Sequence, residues 1–226
     1  MAIKDIRFMN GEGYLLKDIM LSLTECEKQM RTIEYERYYD VLRTHRDDAG
    51  VEKTQFPSFV YAFYNFVFSQ WVIPTPIKFL NEYYDLNCDE LFVKAGSVTY
   101  KDRTYEKLDL DARILRTYPS LVRDFHFYLM LVEAKCFDKV IYSCQKDIEG
   151  KDLLIRHNGD EYVISLFVQT QRASFFKKVK NAFRHKYESN EIQLPLDLST
   201  ANKCGEFFVY SNVHVNKVKN EVLYRR

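Results

Sequence analysis

Apolar side chains recur with helical spacing early in the chain: Leu16, Ile19, Met20, Leu23, Cys26, Met30, Ile33 and Tyr38 fall close to the 3.6-residue period. The pattern predicts one long helix or two shorter ones between Leu15 and Thr44. It ends in a polar stretch at 43–53, where Asp47, Asp48 and Gly50 favour a turn. From Phe56 to Ile73 the apolar positions no longer form a stripe but run around the whole helix. This helix is entered at Pro57, where a missing N–H costs little, and stops before Pro74, which disfavours α geometry in the residue ahead of it. A helix apolar on every side must be covered on most of its surface, inside its own domain or against another copy or partner. A short helix follows from Ile77 to Leu86, and Leu91 to Tyr100 reads as a strand or hairpin arm.

Beyond the charged run KDRTYEKLDLDAR the periodicity changes. Ser120 fits the N-cap of a helix that carries Leu121, Phe125, Leu129, Val132 and Cys136 on one stripe. Three short runs rich in β-branched and aromatic residues, Lys139–Cys144, Asp152–Arg156 and Glu161–Gln169, read as strands, and Asn158-Gly159-Asp160 between the last two is a hairpin signal. A helix from Ala173 to about Tyr187 and two strand candidates, Ile192–Leu198 and Glu206–Val215, complete an α-β-β-β-α-β-β order. The shift in composition between Tyr100 and Arg116 suggests a helical, aromatic-rich N-terminal module over 1–116 and a second unit over 117–226. The expected fold class is α+β or α/β, with a helical module followed by a mixed sheet flanked by helices.

Composition adds few constraints. A chain of 226 residues buries a real core without staples, and 17 Tyr with 17 Phe make that core aromatic. Lys and Arg total 33 against 32 acidic residues, so only local clusters can argue for a nucleic-acid partner. The five cysteines are scattered without a C-x-x-C pair, which reads as reduced thiols in the cytoplasm. The N-terminal MAIKDIRFMN lacks the apolar core of a secretory signal. Thr54 to Ile77 is free of charge, yet Pro57, Pro74 and Pro76 leave an apolar helix of about 16 residues where a span needs about 20. A buried or oligomer-forming helix, not a membrane segment, is expected there. His45, His126, His157 and His214 show no metal-ligand spacing and read as structural. No phosphate loop, G-x-S-x-G elbow or H-E-x-x-H occurs.

Three pieces of the second unit carry a likeness to known chemistry. They are Glu133 on the predicted helix, Gly150-Lys151-Asp152-Leu153-Leu154-Ile155 leading into the second strand, and Tyr162 to Gln171, ending Gln169-Thr170-Gln171, on the third. Over 120–187, roughly a third of the chain, this pattern resembles the PD-(D/E)XK, or restriction-endonuclease-like, nucleases. There a helix often bearing a Glu precedes an Asp on the second strand, and a Glu or Gln stands two residues from a Lys on the third. The resemblance implies a restriction-endonuclease-like domain with Glu133, Asp152, Gln169 and Gln171 as the catalytic set. It also implies Mg²⁺ or Mn²⁺ held by Asp152 and Gln169.

Strand periodicity points Gln169 and Gln171 to one side, and hard cations prefer such oxygen ligands. Gln171 stands where the family has Lys, which removes the charge that would stabilise a developing phosphorane. Two functions follow: metal-dependent phosphodiester hydrolysis on DNA, or a catalytically impaired nuclease fold that binds nucleic acid or a protein partner. Arg172, Lys177, Lys178, Lys180, Arg184 and Lys186 share a predicted helix with no acidic residue, a cationic face suited to a phosphate backbone.

Overall fold

A computed structural model describes residues 20–45, 48–148, 150–169 and 190–223. The chain is a mixed α+β protein, as the sequence leads one to expect. Helix α1 (Leu23–Met30) starts at Ser22, whose Oγ accepts the Glu25 N–H at 3.2 Å, and it buries Cys26 and Met30 one turn apart. The helical pattern then breaks. The Thr32 and Ile33 N–H groups bond the Gln29 and Met30 carbonyls, and a 3₁₀ turn (Glu36–Tyr38) leads into α2 (Tyr39–Thr44). After α3 (Ala49–Lys53), helix α4 (Phe59–Gln70) ends at Trp71, which takes a left-handed conformation at φ 55° three residues before Pro74.

Six residues of α4 are buried, Ala62, Phe63, Tyr64, Phe66, Val67 and Phe68, so most of its apolar surface is covered within this chain, with Tyr61 exposed. Among the described residues no helix is long and apolar enough to cross a membrane. Helix α5 (Pro76–Leu86) begins on Thr75, whose hydroxyl accepts from the Lys78 N–H, with Pro76 in the first turn. Strands β1 (Phe92–Lys94), β2 (Ser97–Tyr100) and β3 (Arg103–Glu106) then form an antiparallel meander. The region before residue 117 is therefore not purely helical, and the charged run taken for a boundary holds a strand and the start of the next helix.

Helix α6 (Lys107–Glu133) corrects the expected organisation most. It runs 27 residues without interruption, so the expected division at 116/117 falls in its middle. Ser120, expected as an N-cap, lies inside it and donates its hydroxyl to the Thr117 carbonyl at 2.7 Å. Pro119 removes one helical N–H and so strips the Leu115 carbonyl, four residues earlier, of its normal partner. The Tyr35 hydroxyl replaces it at 3.0 Å in a buried position. A side chain from the first helical region thereby keeps the long helix intact.

The second sheet orders β4 (Lys139–Ile141), β5 (Leu153–His157), β6 (Asp160–Val168) and β7 (Glu191–Leu196) side by side. The short helix α7 (Cys144–Ile148) lies between the first two. The first three strands are antiparallel and β7 runs parallel to β6. Asn158 and Gly159 at φ 52° and 87° make the two-residue turn that the sequence announced. The helix expected at Ala173–Tyr187 lies outside the described residues. The expected strand Glu206–Val215 is instead divided: hairpin β8 (Asn202–Cys204) with β9 (Phe207–Val209), then helix α8 (Asn212–Leu223).

Strand alternation sorts the sheet into two faces. Leu153, Ile155, Ile164 and Leu194 join a core cluster that extends from Leu21 through α4, α5 and α6 to Val222. Leu154 packs with Ile141 and Val163 in a separate buried group. Residues on both sides of position 116 thus share one core.

Candidate functional site

Asp152 sits one residue ahead of β5. Continuing the Leu153↔Ile164 pairing by one step sets it opposite Ser165 on β6, and its Oδ2 accepts the Leu166 N–H at 2.6 Å. From the other side α6 delivers Arg123 and Asp124, whose Nε and Oδ1 are 3.5 Å apart, with 9% and 15% of the side chains exposed. Burial first, and the negative charge of Asp152 after it, push the Asp124 carboxyl up to about 7, against the pull of Arg123. Tyr210, just past β9, completes the group. Its hydroxyl donates to the Leu194 carbonyl at 3.1 Å, and burial together with the Asp124 carboxylate holds its proton on.

A buried carboxylate is usually a satisfied structural group, and this chain contains such a case. Asp111 on α6 is 6% exposed, and its two oxygens accept from the Tyr84 hydroxyl at 2.7 Å and from Lys107 Nζ at 2.6 Å. Asp124 differs. Its Oδ1 and the Arg123 Nε are buried with no hydrogen-bond partner, so the pair is an electrostatic contact and not a made bond. The raised proton affinity of Asp124 is the response expected of a buried carboxyl beside a second carboxylate.

The sequence-derived set is only partly assembled here. Asp152 is in the cluster. Glu133 is the last residue of α6, nine positions and about 13 Å of helix beyond Asp124, and its Oε1 accepts the Leu23 N–H at 2.7 Å. It caps α1. Gln169 follows β6, is exposed, and gives its N–H to the Leu196 carbonyl at 2.8 Å. It stands three residues beyond Leu166, about 10 Å along the strand. The pairing therefore carries Gln169 away from Asp152. Gln171 and the basic residues Arg172, Lys177, Lys178, Lys180, Arg184 and Lys186 lie outside the described residues. On β6 the partner of Asp152 is Ser165, whose hydroxyl donates to Glu191 Oε1 at 2.7 Å, and Val163 and Phe167 share its side of the strand.

Asp124 was the residue that sequence reasoning passed over. Its signal was present in LVRDFHFYLML, where two adjacent opposite charges interrupt a segment otherwise apolar on all sides. The histidines mostly fill the structural roles expected of them. His126 lies 3.3 Å from Glu27 Oε1, with burial lowering its affinity for a proton, and His214 Nδ1 accepts the Ser211 N–H. His45 Nδ1 lies 2.8 Å from Asp109 Oδ1. It comes together with Glu106 and Asp109, one ligand atom from each within 4.8 Å of the others, a grouping spread over 60 residues and therefore invisible to a search for close spacing. No family model matches the sequence, and neither the curated proteins nor the solved structures provide a match.

Proposed function

We propose that the chain is a nuclease-fold protein that binds nucleic acid, with Asp124 and Asp152 as its acidic centre and with hydrolysis impaired. The reading draws on α6 being followed by three antiparallel strands, with Asp152 just ahead of the second of them. The observation that carries it is the buried carboxyl of Asp124 on α6, whose hold on its proton is raised by burial and by the negative charge of Asp152, one residue ahead of β5. A phosphodiesterase centre wants a further acidic or amide oxygen and a cationic side chain beside its metal. Ser165 is bonded to Glu191, and Phe167 offers neither group. Mg²⁺ or Mn²⁺ at Asp124 and Asp152 would polarise a phosphate, while Arg123 already sets one positive charge beside Asp124. The basic residues from Arg172 to Lys186 supply the backbone-binding charge.

One observation favours retained metal-dependent hydrolysis as a second reading: a carboxyl at about 7 is matched to proton transfer near neutral pH. Incubation with linear and circular DNA and with RNA, with Mg²⁺ or Mn²⁺, beside Asp124→Asn and Asp152→Asn, separates the two. Salt-sensitive binding without cleavage is the expected result. Cleavage abolished by both substitutions transfers the conclusion to the second reading, and a protein that neither binds nor cuts refutes both.

A further inference from the structure

We infer that His45, Glu106 and Asp109 form a binding site for a divalent transition ion of the Zn²⁺ class, separate from the Asp124–Asp152 centre. The three residues come from different elements. His45 is the C-cap of α2, Glu106 ends β3 and is the N-cap of α6, and Asp109 lies in the first turn of α6. His45 Nδ1 lies 2.8 Å from Asp109 Oδ1, with 20% and 16% of the two side chains exposed, so imidazole and carboxylate already meet in a sheltered place. Glu106 is exposed on its rim.

The arrangement has a simpler rival, in which acidic residues at a helix start merely satisfy its free N–H groups. Among the described residues the N-cap Glu106 makes no side-chain capping bond, and Asp109 bonds His45 and not the helix start. Among the described residues Glu106 has no ion-pair partner. The nearest lysine in sequence, Lys107, is engaged by Asp111 at 2.6 Å.

Ligand atoms mutually within 4.8 Å fit around one ion, whose bonds to imidazole nitrogen and carboxylate oxygen run about 2.0–2.2 Å. One nitrogen with two carboxylates suits Zn²⁺ and its neighbours, whereas Mg²⁺ prefers an all-oxygen shell. Three protein ligands leave a fourth position for water. The ion would fasten the end of α2 to the start of α6, at the junction where the small meander passes into the long helix.

The test is titration of the full chain, stripped with chelator, with ZnCl₂ in a calorimeter, followed by thermal unfolding with and without the ion. The expected result is one Zn²⁺ per chain and a higher unfolding temperature. Glu106→Gln, at an exposed position, should keep the fold by circular dichroism and weaken binding by about tenfold or more. His45→Ala should abolish it, whereas Asp124→Asn and Cys88→Ser should leave it unchanged. No uptake of Zn²⁺ overturns the inference. So does uptake that Glu106→Gln does not weaken, or uptake lost in Cys88→Ser or Asp124→Asn.

Discussion

Pro119 inside α6 makes the most quantitative prediction. Its ring removes the N–H that would bond the Leu115 carbonyl, and the Tyr35 hydroxyl takes that place at 3.0 Å, with Tyr35 and Leu115 only 5% and 2% exposed. Tyr35→Phe keeps the ring, and with it the stacked contact to Tyr118 at 5.8 Å, but leaves a buried carbonyl without a donor. The expected loss is about 1–3 kcal/mol, the cost of an unsatisfied buried polar group and well above that of an ordinary hydrogen bond. Pro119→Ala returns the missing amide, so in that background the same Tyr35→Phe change should cost less. Urea unfolding of the four proteins in a double-mutant cycle measures the difference, and a coupling of about 1 kcal/mol or more is expected. Additivity within about 0.5 kcal/mol would show that the hydroxyl does not stand in for the proline's lost donor.

Three further results are expected. Glu133→Ala removes the carboxylate that receives the Leu23 N–H and should cost about 1 kcal/mol in urea unfolding while leaving any nucleic-acid binding intact; loss of binding with the fold retained would return Glu133 to the functional site. Gly205→Ala should destabilise by at least about 2 kcal/mol, because the residue sits at φ 58° and a Cβ would come within 2.6 Å of the Met30 carbonyl oxygen; an unchanged urea midpoint contradicts this. Asp124 holds its proton more tightly when folded than an ordinary aspartate, at 3.8, so its contribution to stability is full below about 4 and declines as pH rises to about 7. The buried His126 acts in the opposite sense, its proton affinity being lowered in the fold, so the informative quantity is wild type minus Asp124→Asn. That difference should fall between pH 4.5 and 7.5, and a flat difference curve would show that Asp124 ionises normally.

The element types after residue 120 were legible because strands β4 to β7 are short, bounded by turn residues and rich in Val, Ile, Leu and Tyr. The limits of α6 were hidden for a physical reason. Ser120, Pro119 and the charges from Lys101 to Arg113 are all boundary signals in isolation, and Tyr35, 80 residues away, overrides the strongest of them. The C-terminal helix was missed because Val213, Val215, Val218 and Val222 are β-branched, yet three of them are buried at helical spacing. At the site, Asp152 stood out through its strand position. Asp124 did not, because burial and a neighbouring carboxylate set its character, and neither is a property of local sequence.

The aromatic composition has a backbone role as well as an apolar one. Five tyrosine hydroxyls among the described residues donate to main-chain carbonyls: Tyr35 to Leu115, Tyr83 to Pro57, Tyr100 to Gln55, Tyr118 to Pro74 and Tyr210 to Leu194. Four of these carbonyls lie at prolines, in Pro57 and Pro74 themselves, one residue before Pro195, and one helical turn before Pro119. Prolines end or interrupt elements and remove N–H donors, so carbonyls near them fall outside the regular ladders. A phenol brings a large apolar ring and one donor at its tip, which lets the chain keep such breaks inside its core instead of at its surface. Phenylalanine fills the same volume without closing that gap. At these four breaks a Tyr supplies what a Phe could not, and the long helix that carries Asp124 holds one of them.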